Sequence, residues 1–344
     1  MNSRRDNAVF DRADALHSNA IIINGHDHMA TLTDFEWNRQ AGVTAKVVHV
    51  SLDVVIWDDE PDCYKKYKDT CDGYAERADR AIAQIHQHVR ARPERLMVVR
   101  SSADVLEAHR TGRLGLILGF EGAKPLQDRL ELLDRYYELG VRHIQLTWAV
   151  RNAVSAGFKP EAGLTDFGKA VVRRMNELGV LIDVAHIGQK AWREVASLSK
   201  RPFVAGHCAM ADLTMGRGEV TRERLKMLAD SGGLVGVHSV AHIMRPTGRA
   251  DWEERATVED IVDHVDYVRD HVGIDFVGLG LDYFPNDESY RRAIGYNVVF
   301  ADDLQDIRSL PNLTAALLRR GYSENDVRKV LGLNYMRVYR EVVG

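Results

Sequence analysis

The chain has 344 residues, of which 45% are hydrophobic and 8 are proline, so it has enough apolar surface for a large core and is not extensively disordered. Its 46 Lys and Arg residues against 50 Asp and Glu give a net charge of −4 with no basic block, which argues against a nucleic-acid partner. No segment approaches the roughly 20 apolar residues of a membrane span, and no apolar signal core follows the first residues. We therefore expect a cytoplasmic protein with no membrane partner.

Short apolar segments alternate with amphipathic helical segments along the chain. We predict eight strands, at residues 20–25, 46–51, 114–121, 141–147, 180–186, 202–207, 234–239 and 276–282. This alternation is typical of a parallel sheet, and Val, Ile and Leu at both parities indicate strands buried on both faces. Periodicity alone does not distinguish a barrel from a doubly wound sheet. Since barrels of this length are commonly one domain, we predict a single domain over residues 1–344.

Several helix boundaries can be predicted from capping residues. Thr165 begins and Gly179 ends one crossover helix, and Thr257 and Gly273 delimit another, because Thr caps helix N-termini and Gly favours C-termini. The sequence pattern at the end of the chain predicts two short helices and a terminal one, with Ser323 as a cap. We interpret these extra C-terminal helices as packing elements.

Metal-competent side chains stand at the ends of several predicted strands. In a barrel these strand ends meet at one face, where active sites are built. The residues in question are His26 and His28 after the first strand, Glu121 at the third, His186 at the fifth, His207 at the sixth and Asp282 at the eighth.

The spacing of His26 and His28 places both imidazoles on one side of the strand, with Asp27 on the other. Two nitrogen donors on one side suit zinc or a similar metal. A single histidine at a strand end is more often structural, but four histidines with a carboxylate favour a metal site. For His49 and His238 the sequence leaves the role open, although His238 could be a hydrogen-bond partner within the site.

Glu121 follows the apolar run LGLILGF, where an unpaired carboxylate would be costly to bury. A carboxylate can bridge two cations that share a hydroxide, and such a hydroxide attacks carbonyl groups. The sequence therefore predicts a hydrolase with two divalent metal ions, for which Zn²⁺ is the best match.

The chain resembles the membrane (renal-type) dipeptidase family, peptidase family M19, whose members are metallopeptidases among the amidohydrolase-like barrels. The similarity covers most of the chain. It is carried by NGHDH at 24–28, GFEGA at 119–123, YYELGVRHIQLT at 136–147, the run from 163 to His186, AGHCAMADL at 205–213, VGLGLDYF at 277–284 and the tail at 320–342. The resemblance implies a (β/α)₈ TIM-type barrel with extra C-terminal helices, and a homodimer.

The resemblance also implies roles for individual residues. Asp282 corresponds to the acidic residue near the metal-bound water, and Arg217 to the arginine that binds the substrate carboxylate through its planar fork. The implied metal ligands are His26 and His28 for one ion, Glu121 as the bridge, and His186 and His207 for the other.

Two positions depart from the family pattern. His28 stands where the family has an aspartate, and Trp148 stands where it commonly has a histidine that contacts the reacting carbonyl. Arg151 and Asn152 could replace that histidine as substrate contacts. These departures put the cleavage of ordinary dipeptides in doubt, but not metal-dependent hydrolysis.

Together these features predict an enzyme of dipeptidase type that cleaves an amide bond in a small carboxylate-bearing substrate. A metal-bridging hydroxide oriented by Asp282 would attack the carbonyl, and Asp282 would pass the proton to the leaving amine. One alternative is an amidohydrolase-type enzyme acting on an N-acyl amino acid, a lactam or a lactone. Another is a catalytically silent barrel that binds metal.

Overall fold

The structure is a computed structural model that describes residues 2–53, 73–148, 150–159, 161–216, 218–245, 255–284 and 299–344, without the side chains of residues 2–8. Within these residues, all strands belong to one parallel sheet. The strands are β1 (Ile23–Asn24), β2 (Ala45–Leu52), β3 (Leu96–Val98), β4 (Leu114–Glu121), β5 (Val141–Gln145), β6 (Leu181–Asp183), β7 (Val204–Cys208), β8 (Leu234–Val237) and β9 (Val277–Leu279).

The sheet closes into a barrel because β2 pairs with both β1 and β4. Going round the barrel, the strand order is β2, β1, β9, β8, β7, β6, β5 and β4. Closure settles the choice that periodicity left open and confirms the predicted (β/α)₈ barrel. Each of the eight predicted strands corresponds to one barrel strand.

β3 is a ninth strand that the sequence pattern did not predict. It pairs only with the start of β4, at Leu96, Met97 and Val98, below the point where β5 takes over that edge. Three residues carry too little periodicity to identify a strand from sequence alone.

Helices connect the strands around the outside of the barrel. They are α1 (Asn2–Ser18), α2 (Leu32–Gln40), α3 (Tyr74–Ala91), α4 (Ser102–Thr111), α5 (Leu130–Leu139), α6 (Asp166–Leu178), α7 (Gln189–Leu198), α8 (Arg222–Asp230), α9 (Ala241–Met244), α10 (Val258–His271), α11 (Pro311–Arg319), α12 (Glu324–Arg328) and α13 (Asn334–Val342). The segment Lys329–Leu333 between the last two is a π-helix.

The predicted caps lie at the ends of these helices. Thr165 accepts a hydrogen bond from the Gly168 amide at the start of α6, and Gly179 ends that helix with φ of 79°. Thr257 forms a capping box at the start of α10. Ser323 caps α12. These boundaries follow from local chemistry, which is why the sequence predicts them well.

Two layers of apolar side chains hold the barrel together. One layer lies between the strands and the surrounding helices, and the other fills the interior. The inner layer includes Ile23, Val47 and Leu181 from the strands together with Tyr335 and Tyr339 from α13. The C-terminal helix therefore contributes side chains to the inside of the barrel.

No helix among the described residues is both long enough and apolar enough to cross a membrane.

Candidate metal centre

The carboxyl ends of the strands bring the predicted ligands together. His26 and His28 lie in the loop after β1, Glu121 is the last residue of β4, and His207 lies in β7. His186 follows β6. His26, Glu121 and His207 are buried, with Glu121 only 1% exposed, whereas His28 and His186 are partly exposed.

The loop after β1 runs beside the chain that continues β9. The Gly25 amide donates to the Leu279 carbonyl (2.8 Å), the Asp282 amide donates to the His26 carbonyl (3.0 Å), and the His28 amide donates to the Tyr283 carbonyl (3.0 Å). These alternating backbone bonds fix both histidines next to Asp282. They are the reason that residues more than 250 positions apart share one site.

The Glu121 carboxylate lies between the two pairs of histidines. Its Oε1 is 3.7 Å from Nε2 of His26 and of His207, and 3.5 Å from Nε2 of His186. Its Oε2 is 3.5 Å from Nε2 of His28. Four imidazoles therefore point the same ring nitrogen at one carboxylate, which is the arrangement expected of a bridging ligand.

The ring nitrogens within each histidine pair lie within hydrogen-bonding distance of one another. Nε2 atoms are 3.3 Å apart in His26 and His28, and 2.9 Å apart in His186 and His207. Glu121 Oε2 is buried without a hydrogen-bond partner among the described residues. An unpaired buried carboxylate oxygen that faces four imidazoles is costly unless a cation lies beside it. The residues present therefore fit a metal centre.

Glu219 is a member of this site that sequence reasoning missed. Its Oε1 lies 2.5 Å from Nδ1 of His186, and its Oε2 accepts the His186 backbone amide (2.8 Å). A carboxylate on Nδ1 leaves Nε2 as the metal-binding nitrogen, as in many zinc sites. His186 has a φ of 63°, a conformation that non-glycine residues rarely adopt and that clusters at functional sites.

Asp282 is oriented by histidines on both sides. Its Oδ1 is 2.9 Å from Nε2 of His28, and its Oδ2 is 3.0 Å from Nε2 of His238. Nδ1 of His238 accepts the backbone amides of Ser239 and Val240 (3.1 and 3.2 Å), so Nε2 carries the proton and donates to Asp282. The sequence left the role of His238 open, and the structure makes it a hydrogen-bond partner of Asp282.

Charges within the site oppose the effect of burial. Burial alone would raise the pKa of Asp282, but His238, His207 and the bond from His28 outweigh it and hold that pKa far below its usual range. Burial alone would lower the pKa of His28, whereas Glu121 and Asp282 raise it to about 8. Burial dominates for His26, whose pKa falls well below 6.5. In the metal-free protein, Asp282 is therefore ionised.

Comparison with known proteins identifies the family of the chain. A family model described as membrane dipeptidase (peptidase family M19) matches residues 10–343. The chain is 30% identical over 262 residues to dipeptidase verJ of Clonostachys rogersoniana, across 75% of this chain and 63% of that protein. It is 30% identical over 253 residues to dipeptidase tcpJ of Claviceps purpurea (strain 20.1), across 72% and 56%. The chain belongs to the membrane dipeptidase family.

The matched region spans less than two thirds of the length of these two relatives. The family model nevertheless matches nearly the whole of this chain, and it confirms the predicted family.

Solved structures share this architecture. An amidohydrolase from Pseudomonas aeruginosa superimposes with a TM-score of 0.83 at 28% identity, over 96% of this chain and 99% of that one. A metallo peptidase from Rhodobacter sphaeroides gives a TM-score of 0.79 at 22% identity, over 94% and 99%. The second likeness concerns the fold alone.

Two residues at the departures from the family pattern have defined positions. His28 lies among the other predicted ligands, with its Nε2 close to His26 and Glu121. The Trp148 ring lies 6.0 Å from the ring of His186. Phe158, which is 43% exposed, lies 5.5 Å from the same ring. An aromatic wall made of Trp148 and Phe158 therefore lines one side of the site.

Three further residues were predicted to contact the substrate, namely Arg217, Arg151 and Asn152. Arg217 lies outside the described residues. Arg151 is exposed, and its role stays a prediction. The Asn152 side chain is buried; its amide donates to Asp53 Oδ2 (2.7 Å) and the Leu146 carbonyl (2.8 Å), and its oxygen accepts two backbone amides. Asn152 thus holds the loop after β5 in shape.

Proposed function

We propose that the chain is a metal-dependent dipeptidase that cleaves an amide bond in a small substrate bearing a carboxylate. The observation that carries this proposal is the convergence of four histidine Nε2 atoms on the Glu121 carboxylate, with Asp282 beside them. This donor set suits zinc, and membership of the dipeptidase family supports the reaction class.

The metal ions, held by the four histidines and Glu121, would supply Lewis-acid chemistry that polarises the amide carbonyl and activates a water for attack. Glu121 would hold the ions together as their bridge. Asp282 is ionised and fixed by His238, so it can orient the attacking water. Asp282 would then pass a proton from that water to the leaving amine.

The substrate class follows from the walls of the site and from Arg217. The aromatic wall favours a substrate with an apolar side chain near His186. We expect the Arg217 guanidinium to bind the substrate carboxylate by two parallel hydrogen bonds. The relatives named above are called dipeptidases, and the Rhodobacter sphaeroides structure was solved with a phosphinate mimic of the dipeptide L-Ala-D-Ala.

The direct test is a substrate panel on the purified protein, loaded with zinc or stripped by a chelator. The panel contains L,L- and L,D-dipeptides, their amidated forms, N-acyl amino acids, lactams and lactones. We expect hydrolysis of a free-carboxylate dipeptide that disappears on chelation and returns with metal. Hydrolysis only of acyl amino acids, lactams or lactones would favour the amidohydrolase alternative, and metal binding without turnover of any substrate would favour the silent barrel.

Arg217→Ala adds a second comparison within this panel. Its kcat/KM on free-carboxylate substrates should fall by a factor that corresponds to roughly 2–5 kcal/mol if the ion pair is buried. The kcat/KM on amidated substrates should fall far less. Arg110→Ala is the matched control, because it removes an exposed arginine of α4 that has no predicted role in the site. Equal losses on both kinds of substrate would reject the carboxylate-binding role of Arg217.

The homodimer and the cytoplasmic location are further proposals. Light scattering on the purified chain tests the first, and fractionation of the source cells tests the second.

A further inference from the structure

His49 is a buried histidine next to the ligands that the family pattern does not assign. It lies near the carboxyl end of β2 and is 6% exposed. Ala45 and Val47 of the same strand belong to the inner layer of the barrel, whereas Val48 and Val50 belong to the outer one. Since side chains alternate along a strand, His49 lies on the interior face, above Val47.

The His49 ring lies against the first pair of ligands. Its ring centroid is 4.0 Å from that of His26 and 5.6 Å from that of His28. One ring nitrogen from each of these three histidines lies within 4.8 Å of those of the other two. The three residues therefore form a compact group of nitrogen donors.

The hydrogen bonding of His49 fixes which nitrogen is available. Its Nδ1 lies 3.2 Å from the backbone carbonyl of Asp27. A carbonyl only accepts, so Nδ1 carries the proton and Nε2 of the neutral ring keeps a lone pair. Nε2 is buried without a hydrogen-bond partner among the described residues. A buried lone pair with no partner, beside two metal ligands, points to a missing cation.

We propose that His49 is a third histidine ligand of the metal ion bound by His26 and His28. The inference rests on the metal centre of the proposed function and adds a ligand to it. With His28 in place of an aspartate, this ion would have three neutral imidazoles, and Glu121 would be its only anionic ligand. Such a donor set favours zinc or cobalt over manganese or magnesium, which prefer oxygen ligands.

Two substitutions at His49 test the roles of its two ring nitrogens separately. His49→Asn places an amide donor near the position of Nδ1, keeps the bond to the Asp27 carbonyl and removes the donor atom at Nε2. His49→Gln places an amide oxygen near the position of Nε2. His17→Asn is the matched control, because His17 is also buried but both of its ring nitrogens have partners elsewhere in the protein.

The measurement is a competition titration of the full chain with Zn²⁺ and Co²⁺ against a chromophoric chelator, together with the Co²⁺ absorption spectrum. We expect His49→Asn to weaken the binding of one of the two ions by at least about tenfold and to change the cobalt spectrum. The other ion should keep its affinity, His49→Gln should recover part of the loss, and His17→Asn should match the wild type.

Two results would count against different claims. If the wild type binds two ions and His49→Asn binds both with wild-type affinity and spectrum, His49 is not a ligand although the metal centre stands. If the wild type binds no divalent ion, the proposed function itself fails.

Discussion

Glu121 is the residue on which the proposed centre depends most directly, because its two oxygens face both histidine pairs. We expect Glu121→Gln to lose one or both ions and, with them, activity, since a neutral amide cannot bridge two cations. Metal affinity should fall by more than the 10- to 100-fold typical of an outer partner of a ligand. Elemental analysis after gel filtration, with steady-state kinetics, measures both effects.

Glu194→Gln is the control for this substitution. Its Oε2 accepts the Leu164 amide (2.5 Å), a bond that a glutamine oxygen can keep. If Glu121→Gln retained two ions and wild-type turnover, Glu121 would not be the bridge.

His28 and Trp148 occupy the two positions at which the sequence resemblance implies departures from the family pattern. His28 supplies a donor but no negative charge, and Trp148 offers at most an indole N–H to a developing oxyanion. We expect weak activity of the wild type on common L,L-dipeptides, and at least a tenfold gain in kcat/KM for the combined His28→Asp and Trp148→His protein. The two single variants separate the contributions. Efficient cleavage by the wild type, with no gain in the double variant, would show that both departures are neutral.

For individual residues, the sequence indicates candidate metal ligands more readily than side chains that position a neighbouring residue. His26, His186 and His207 could be named because strand ends converge in a barrel. Glu219 could not, since its loop position becomes meaningful only when the fold places it against His186. Asn152 was predicted to contact substrate, but its side-chain atoms bond within its own loop and to Asp53.

At the scale of elements, α1 and α11 are joined by a buried histidine. Nε2 of His17 lies 2.9 Å from the Ala41 carbonyl and Nδ1 lies 2.7 Å from Thr314 Oγ1. Burial lowers the pKa of His17 below its usual value. Below pH 6.5 the unfolded chain therefore takes up a proton that the folded chain refuses, and the free energy of unfolding falls as the pH drops.

We expect His17→Asn to be less stable than the wild type at pH 7.5 but to lose less stability on acidification. The difference between the two proteins can change by at most about 1.4 kcal/mol per pH unit. Denaturant unfolding of metal-free protein at pH 7.5, 6.5 and 5.5 measures it. Parallel pH profiles for the two proteins would show that His17 does not contribute.

The elements themselves were predicted well where the local signal is strong. Capped helices such as α6 carry start and stop residues in the sequence. The β1 strand is only two residues long, although the apolar run that contains it is longer, because ladder pairing with β2 and β9 ends at Asn24. Strand ends set by pairing with distant segments cannot be read from a local pattern.

On the scale of the whole molecule, Tyr335 of α13 fills the inside of the barrel. It is fully buried, and a side chain at Gly25 or Gly278 would collide with its ring. The C-terminal helices were predicted as packing elements, but the sequence could not show that one of their side chains enters the barrel interior. That placement depends on Gly25, directly after β1, and Gly278 in β9, which are far apart in the sequence.

Tyr335→Ala should therefore cost about 3–5 kcal/mol of stability, as expected for removing a large buried aromatic side chain. Tyr335→Phe is the control and should cost far less, because the hydroxyl lies a long 3.5 Å from the Gly206 carbonyl. Thermal and denaturant unfolding midpoints measure both. Similar midpoints for the alanine variant and the wild type would show that the barrel does not depend on this side chain.

The central claim is a two-ion centre bridged by Glu121, and a crystal structure with anomalous scattering at the zinc edge tests it most directly. We predict two zinc ions roughly 3.5–4 Å apart, with ligand distances of about 2.0–2.2 Å. His26 and His28 should bind one ion, His186 and His207 the other, and one oxygen of Glu121 should reach each. A single ion, or two ions that Glu121 does not contact, would contradict the account.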